Sequence, residues 1–96
     1  MRRYSHTVND YMELVRYLES QEFYRLVDVI KYRGGRRYIF KTSIRDGEVY
    51  IHLVFYKDRA YLELWPQSFA IPMATYDLGK QSLSTPLALV NILRRT

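Results

Sequence analysis

Cysteine is absent from this chain, which excludes disulfides and thiolate metal sites and fits a reducing, cytoplasmic compartment. Histidine is almost as scarce. His6 and His52 stand alone, with no second histidine at metal-ligand spacing. His52-Leu53-Val54 also lacks the paired histidine that a rolling-circle nicking strand needs. No apolar run approaches a membrane span, and the charged start Met1-Arg2-Arg3 is not followed by the apolar core of a secretion signal. Carboxylates are few and dispersed, with Asp28 and Glu63 on different strands, too far apart for paired acid–base work. Gly34-Gly35 lacks the glycine spacing and lysine-to-helix context of a phosphate loop. These absences leave no catalytic constellation, so the expectation is a non-enzyme with no cofactor and no metal. No repeat, low-complexity tract or linker divides the chain. Residues 1–96 are read as one domain, with 1–6 a loose basic arm.

What is abundant is arginine and tyrosine. Eleven of the fifteen basic residues are arginine, ten residues are tyrosine, and the formal charge is +5. Guanidinium groups chelate phosphate oxygens and stack on rings, a mixture that suits nucleic acid. Arginine and tyrosine are equally the residues of adhesive protein interfaces.

The expected fold is α+β, a four-stranded antiparallel meander over about 24–65 with an N-terminal and a C-terminal helix on one face. Asp46-Gly47 is a type I′ hairpin dipeptide. With it at the tip, Arg45 faces Glu48, Ile44 faces Val49, Thr42 faces Ile51, Phe40 faces Leu53 and Tyr38 faces Phe55. All but the first of these pairs line one apolar face. A second tip at Asp58-Arg59 sets Leu62 opposite Phe55 and Leu64 opposite Leu53. The stretch Ser20–Arg33 has two readings. Phe23, Leu26, Val27 and Ile30 have helical spacing, whereas β-branched Val27, Val29 and Ile30 and the Gly34-Gly35 dipeptide favour a strand. As a strand with Gly34-Gly35 at its tip, it sets Val29 against Phe40, Val27 against Thr42 and Asp28 against Lys41.

Ahead of the meander, Thr7 is the expected cap of a helix running to about Glu19, whose Val8, Tyr11, Leu14, Val15 and Leu18 form one apolar stripe. After Trp65, Pro66 should end the last strand, and the alternation of Phe69, Ile71 and Met73 hints at a short edge strand interrupted by Pro72. Ser84-Thr85-Pro86 opens a C-terminal helix so apolar that a second copy of the chain becomes a candidate cover for part of it.

These registers place three rows on the sheet face away from the core: Tyr32, Arg37, Tyr56, Tyr61; then Ile30, Ile39, Val54, Glu63; then Asp28, Lys41, His52, Trp65. Consecutive hairpins bring the first and third turns to the same end. Lys31, Arg33, Arg36, Arg37, Lys57 and Arg59 therefore collect beside Tyr32, Tyr56 and Tyr61, as a candidate DNA- or RNA-binding surface of non-specific phosphate contacts with stacking rings. Basic hairpin tips are also commonly plain solvated turns. Ile30, Ile39, Val54 and Trp65 are a candidate homodimer interface, and a dimeric assembly module without nucleic acid is the alternative reading.

The order of a helix, then Val29-Ile30-Lys31-Tyr32-Arg33, then a hairpin carrying Phe40-Lys41-Thr42 resembles the helix–three-strand–helix proteins of the signal recognition particle's Alu domain. The resemblance covers roughly Tyr11 to Lys57 and ends after Trp65. It implies a sheet that offers a basic RNA-binding surface.

Overall fold

Alternating apolar and polar side chains across Leu26–Trp65 build a sheet, and the β-branched character of Val27, Val29 and Ile30 wins over helical spacing in the disputed stretch. A computed structural model describes residues 8–67 and 71–95. The basic arm with His6, the Thr7 cap and Phe69 lie outside the described residues, as do the side chains of Val8 to Tyr11. The fold is α+β: α1 (Val8–Ser20), β1 (Arg25–Tyr32), β2 (Gly35–Ile44), β3 (Gly47–Tyr56), β4 (Ala60–Pro66), β5 (Ala74–Asp77) and α2 (Ser84–Arg95). The strands form one antiparallel sheet in the order β1-β2-β3-β4-β5.

The meander has a fifth strand that the sequence pattern misplaces. Pro66 does not stop β4 but ends it from within, and the edge strand follows Pro72 rather than lying on the Ile71/Met73 alternation. Ile71 and Met73 are exposed. β5 is held by its pairing to β4 over Leu64↔Ala74 to Tyr61↔Asp77 and by the Met73 amide on the Leu64 carbonyl at 2.7 Å.

All three expected hairpin registers are displaced by two residues. Ile44 pairs with Gly47, Thr42 with Val49, Phe40 with Ile51 and Tyr38 with Leu53, so Arg45-Asp46 is the tip. Leu53 pairs with Leu62 and Ile51 with Leu64, and the Tyr56 amide meets the Arg59 carbonyl at 2.8 Å around Lys57-Asp58. Tyr32 pairs with Gly35 around Arg33-Gly34, which sets Val29 on Tyr38 and Asp28 on Ile39. At the β2–β3 turn the cause is backbone strain. A type I′ tip at Asp46-Gly47 needs Asp46 at positive φ, a cost of about 1–2 kcal/mol. As folded, among the described residues only glycines take positive φ, Gly34 at 82° and Gly47 at 142°.

A shift of two preserves the faces, so the core is the expected one. Tyr38, Phe40, Val49, Ile51, Leu53, Phe55, Ala60, Leu62 and Leu64 cluster with Leu14, Val15 and Leu18 of α1 and Leu87 and Val90 of α2. Thr42 is buried in the same face, its hydroxyl without a hydrogen-bond partner among the described residues. β1 departs from the pattern. A bulge between Leu26 and Asp28 turns Leu26, not Val27, onto Phe40, and Val27, Val29 and Ile30 remain exposed. α2 opens at Ser84 with Pro86 in its first turn as expected, and Pro86 is itself buried. At its other end the Leu93 carbonyl accepts the Arg45 amide at 3.3 Å.

Candidate nucleic-acid interface

The meander order makes the first and third turns neighbours, because Gly35 pairs with Tyr32 on one side and Tyr56 on the other. Lys31, Arg33, Arg36, Lys57 and Arg59 around this end are all exposed, with Asp58 3.8 Å from the Arg59 guanidinium. Between the turns lies an open cleft of about 380 Å³. Phe55, Tyr38 and Met12 line its core side, Tyr32, Tyr56 and the backbone of Gly34 and Gly35 its strand ends, and Arg36 and Lys57 its charged rim. Parity divides the cations. Lys31 and Arg36 pair on the core-facing side of the sheet, beyond the reach of α1's buried stripe, whereas Arg37 points to the other face.

Gly35 determines how the tyrosines sit. A side chain there would meet the Phe55 carbonyl at 2.5 Å, the Tyr32 ring at 2.8 Å and the Tyr56 ring at 3.2 Å. Without one, Tyr32 and Tyr56 close over the backbone with ring centres 6.1 Å apart, and Tyr61 meets Tyr56 edge-on at 6.2 Å. The Arg59 guanidinium lies 5.5 Å from the centre of the Tyr56 ring. Burial, reinforced by Tyr56, pushes the Tyr32 phenol above its ordinary value against the pull of Arg37. The expected single row of three phenols is not formed: Tyr32 and Tyr56 flank Gly35 and Tyr61 lies one row further in, as half-buried rings leaning on one another.

The expected rows change with the register. The second is now Ile30, Arg37, Val54, Tyr61, and the third Asp28, Ile39, His52, Glu63. Arg37 leaves the phosphate cluster: it pairs with Glu63 and donates to His52 Nδ1 at 2.8 Å. Glu63 also accepts the Trp65 indole N–H at 3.0 Å, and the His52 ring stacks on Trp65 at 5.0 Å. Desolvation first, and then the Arg37 charge, lower the His52 pKa to about 4 although Glu63 opposes them. A neutral imidazole accepting from arginine is thus its state at neutral pH. The expected interface row of Ile30, Ile39 and Val54 is not formed. Ile30 and Val54 flank Arg37, Ile39 sits in the next row, and Val54 is only 1% exposed. Trp65 is engaged with Glu63 and His52.

The chain matches no family model, no curated protein and no solved structure. The resemblance to the Alu-domain proteins thus finds no support, and the five-stranded sheet departs from their three strands.

Sequence reasoning reached the cations and tyrosines of this end but not Met12, Tyr38, Phe55 or the glycine backbone between them. Tyr38 and Phe55 read simply as core and Met12 falls off the apolar stripe of the first helix, and no sequence signal marks them as a cleft wall. Among the described residues there is no group of three or more metal-ligating side chains, and no helix is long and apolar enough to cross a membrane.

Proposed function

We propose that this protein binds nucleic acid through its phosphate backbone, with little sequence preference, at the end of the sheet shared by the β1–β2 and β3–β4 turns. One observation carries the reading. Five exposed cations, Lys31, Arg33, Arg36, Lys57 and Arg59, gather at one end of the sheet, Arg36 and Lys57 lining its cleft, with Asp58 the acid among them. Arg37 supports the sheet instead, since its charge is spent on Glu63. Five neutralised phosphates give a log–log salt slope of about −4.5 on duplex and about −3.5 on single strands. Between 50 and 200 mM salt the duplex affinity then falls roughly 500-fold. Gel shifts with both probe types at the two salt levels test this, and no binding at 50 mM refutes it.

A homodimer is the second reading, and the exposed apolar side chains Val27, Val29 and Ile30 on β1 favour it. It would pack one face of β1 against its copy, Ile30 lying on the outer side and Val29 on the core-facing side, rather than extend the sheet, because the bulge and Asp28 obstruct the β1 edge. Light scattering at high protein concentration checks it; a strict monomer rules it out.

A further inference from the structure

We propose that the sheet face turned away from the two helices packs against the same face of a second copy, about a two-fold axis. This rests on the homodimer reading above and adds which surface is shared and how the copies are turned.

Both helices are committed to the other side. The buried residues of α1 and α2 join the core cluster with Tyr38, Phe40, Ile51 and Leu53, so neither helix covers the outer face. Parity places Ile30, Ile39, Tyr50, Tyr61 and Trp65 there. All five keep part of their surface in water, Ile30 at 41%. Tyrosine, tryptophan and arginine are the side chains that dominate interface energetics. Here they are also ordered in advance. Trp65 is bonded to Glu63 and stacked on His52, Tyr61 leans on Tyr56, and Arg37 is paired with Glu63. Side chains already held in place lose little freedom on docking.

The charges select a protein rather than nucleic acid. Two ion pairs are closed within the face, Arg37 with Glu63 and Lys41 with Glu48. The remaining charges on its strands are Arg25 and Asp28 on β1 and Asp77 on β5. Carboxylates therefore outnumber cations here, in a chain whose total is +5, and a phosphate backbone finds no net attraction. Covering Arg37 and Glu63 is tolerable because their side chains are already only 22% and 17% exposed. Each also has a second hydrogen-bond partner, His52 and Trp65 respectively.

Size and corner charges select a second copy. Five strands about 4.8 Å apart, with β1 eight residues long at about 3.3 Å each, span roughly 24 by 26 Å, or about 600 Å². Two such faces bury about 1,200 Å², the lower end of specific interfaces. Arg25 and Asp77 lie near opposite corners. Arg25 is on one edge strand in the row of Lys41 and Tyr50, Asp77 on the other in the row of Val54 and Tyr61. A two-fold axis along the other diagonal, from Tyr32 towards Trp65, exchanges these corners and crosses the sheets at about 90°, a standard sheet packing. Arg25 of each copy then meets Asp77 of the other, and Ile30, beside Tyr32, lies close to the axis.

Sedimentation velocity of the full chain from micromolar to millimolar concentration, with tryptophan emission read on the same samples, tests this. Trp65 is the only tryptophan, so emission should move to shorter wavelength as the dimer fills. Ile30→Lys, on the outer side, should weaken association at least about tenfold by burying a charge. Val29→Lys, next to it on the core-facing side, should stay within about twofold. Both positions are exposed in the monomer, so both variants should keep the parent's far-ultraviolet circular dichroism. Arg25→Glu sets an acid against the partner's Asp77 and should weaken association about fivefold, as expected for two exposed pairs, an effect that fades at high salt. A dimer that tolerates Ile30→Lys, that is lost equally to Val29→Lys, or that forms with unchanged Trp65 emission overturns the outer face and leaves the homodimer reading standing. No effect of Arg25→Glu overturns the two-fold packing argued from the corners. A chain still monomeric at millimolar concentration ends both the shared face and the homodimer.

Discussion

At the scale of single residues, two adjacent glycines do different work, and substitution should separate them. Gly34 is required by its backbone, with φ at 82° and open space around it, so Gly34→Ala meets only conformational strain of about 1–2 kcal/mol. Gly35 is required by its neighbours. A Cβ there lies 2.5 Å from the Phe55 carbonyl, a backbone atom that cannot swing aside. Gly35→Ala must therefore spread β2 from β3 or displace the Tyr32 and Tyr56 rings, an overpacking cost of about 1–3 kcal/mol. Urea unfolding should show both losses, but only Gly35→Ala should also disturb tyrosine near-ultraviolet circular dichroism.

His52 sets a pH dependence whose sign follows from its depressed pKa. Its folded value is about 4 against an ordinary 6.5, so the unfolded chain takes up a proton over that interval while the folded chain does not. The stability contributed by neutral His52 is complete above pH 6.5 and is lost as pH falls towards 4. The loss runs at about 1.4 kcal/mol per pH unit, and none follows below that window. Chemical unfolding at a series of pH values measures the slope, and His52→Gln should flatten it. A wild-type protein as stable at pH 4.5 as at pH 7 would contradict the burial and the Arg37 contact that depress the pKa.

At the scale of elements, the sequence shows the faces more clearly than the registers. Alternation from Tyr38 to Leu64 marks every core side chain of β2, β3 and β4, because parity survives a two-residue slip. The tips did not follow from dipeptide signals, because Asp-Gly and Gly-Gly name a turn's neighbourhood without saying which residue must take positive φ. β5 was illegible for another reason. Its four residues are held by pairing with β4, a tertiary contact no local pattern encodes. The edge strand β1 carries its own safeguard. With Tyr32↔Gly35 closing a two-residue turn, alternate residues bond to β2 and the amides of Lys31 and Val29 face the open edge. Asp28 Oδ1 accepts the Val29 amide at 2.8 Å, and the adjacent bulge bends the strand away from straight pairing. Asp28→Ala should therefore change stability by only about 0.5 kcal/mol while raising self-association. Light scattering over a concentration series tests it; no increase above the parent protein would show that the bulge alone guards the edge.

At the scale of the whole molecule, the question is whether net charge or its placement governs binding. The two ends of the sheet differ in kind. At the end of the β2–β3 turn, charges come in mixed signs: Arg45 and Asp46 share the turn, and Lys41 bonds Glu48 at 3.3 Å. At the other end, five exposed cations gather around the two turns with Asp58 as their acid. The sequence gives the total of +5, but only the meander's folding order, with Gly35 seated between Tyr32 and Tyr56, distributes it so unequally. Arg33→Glu and Arg45→Glu make the same change in net charge on exposed turn residues, and surface positions like these move stability by no more than about 0.5 kcal/mol. If a diffuse positive field held the nucleic acid, both would weaken binding alike. Localised contact predicts instead that Arg33→Glu lowers affinity at least tenfold and shallows the salt slope by about 1, while Arg45→Glu stays within about twofold of the parent. Parallel salt titrations of the two variants distinguish these outcomes, because a lost phosphate contact changes the slope whereas a weakened general field shifts both curves together.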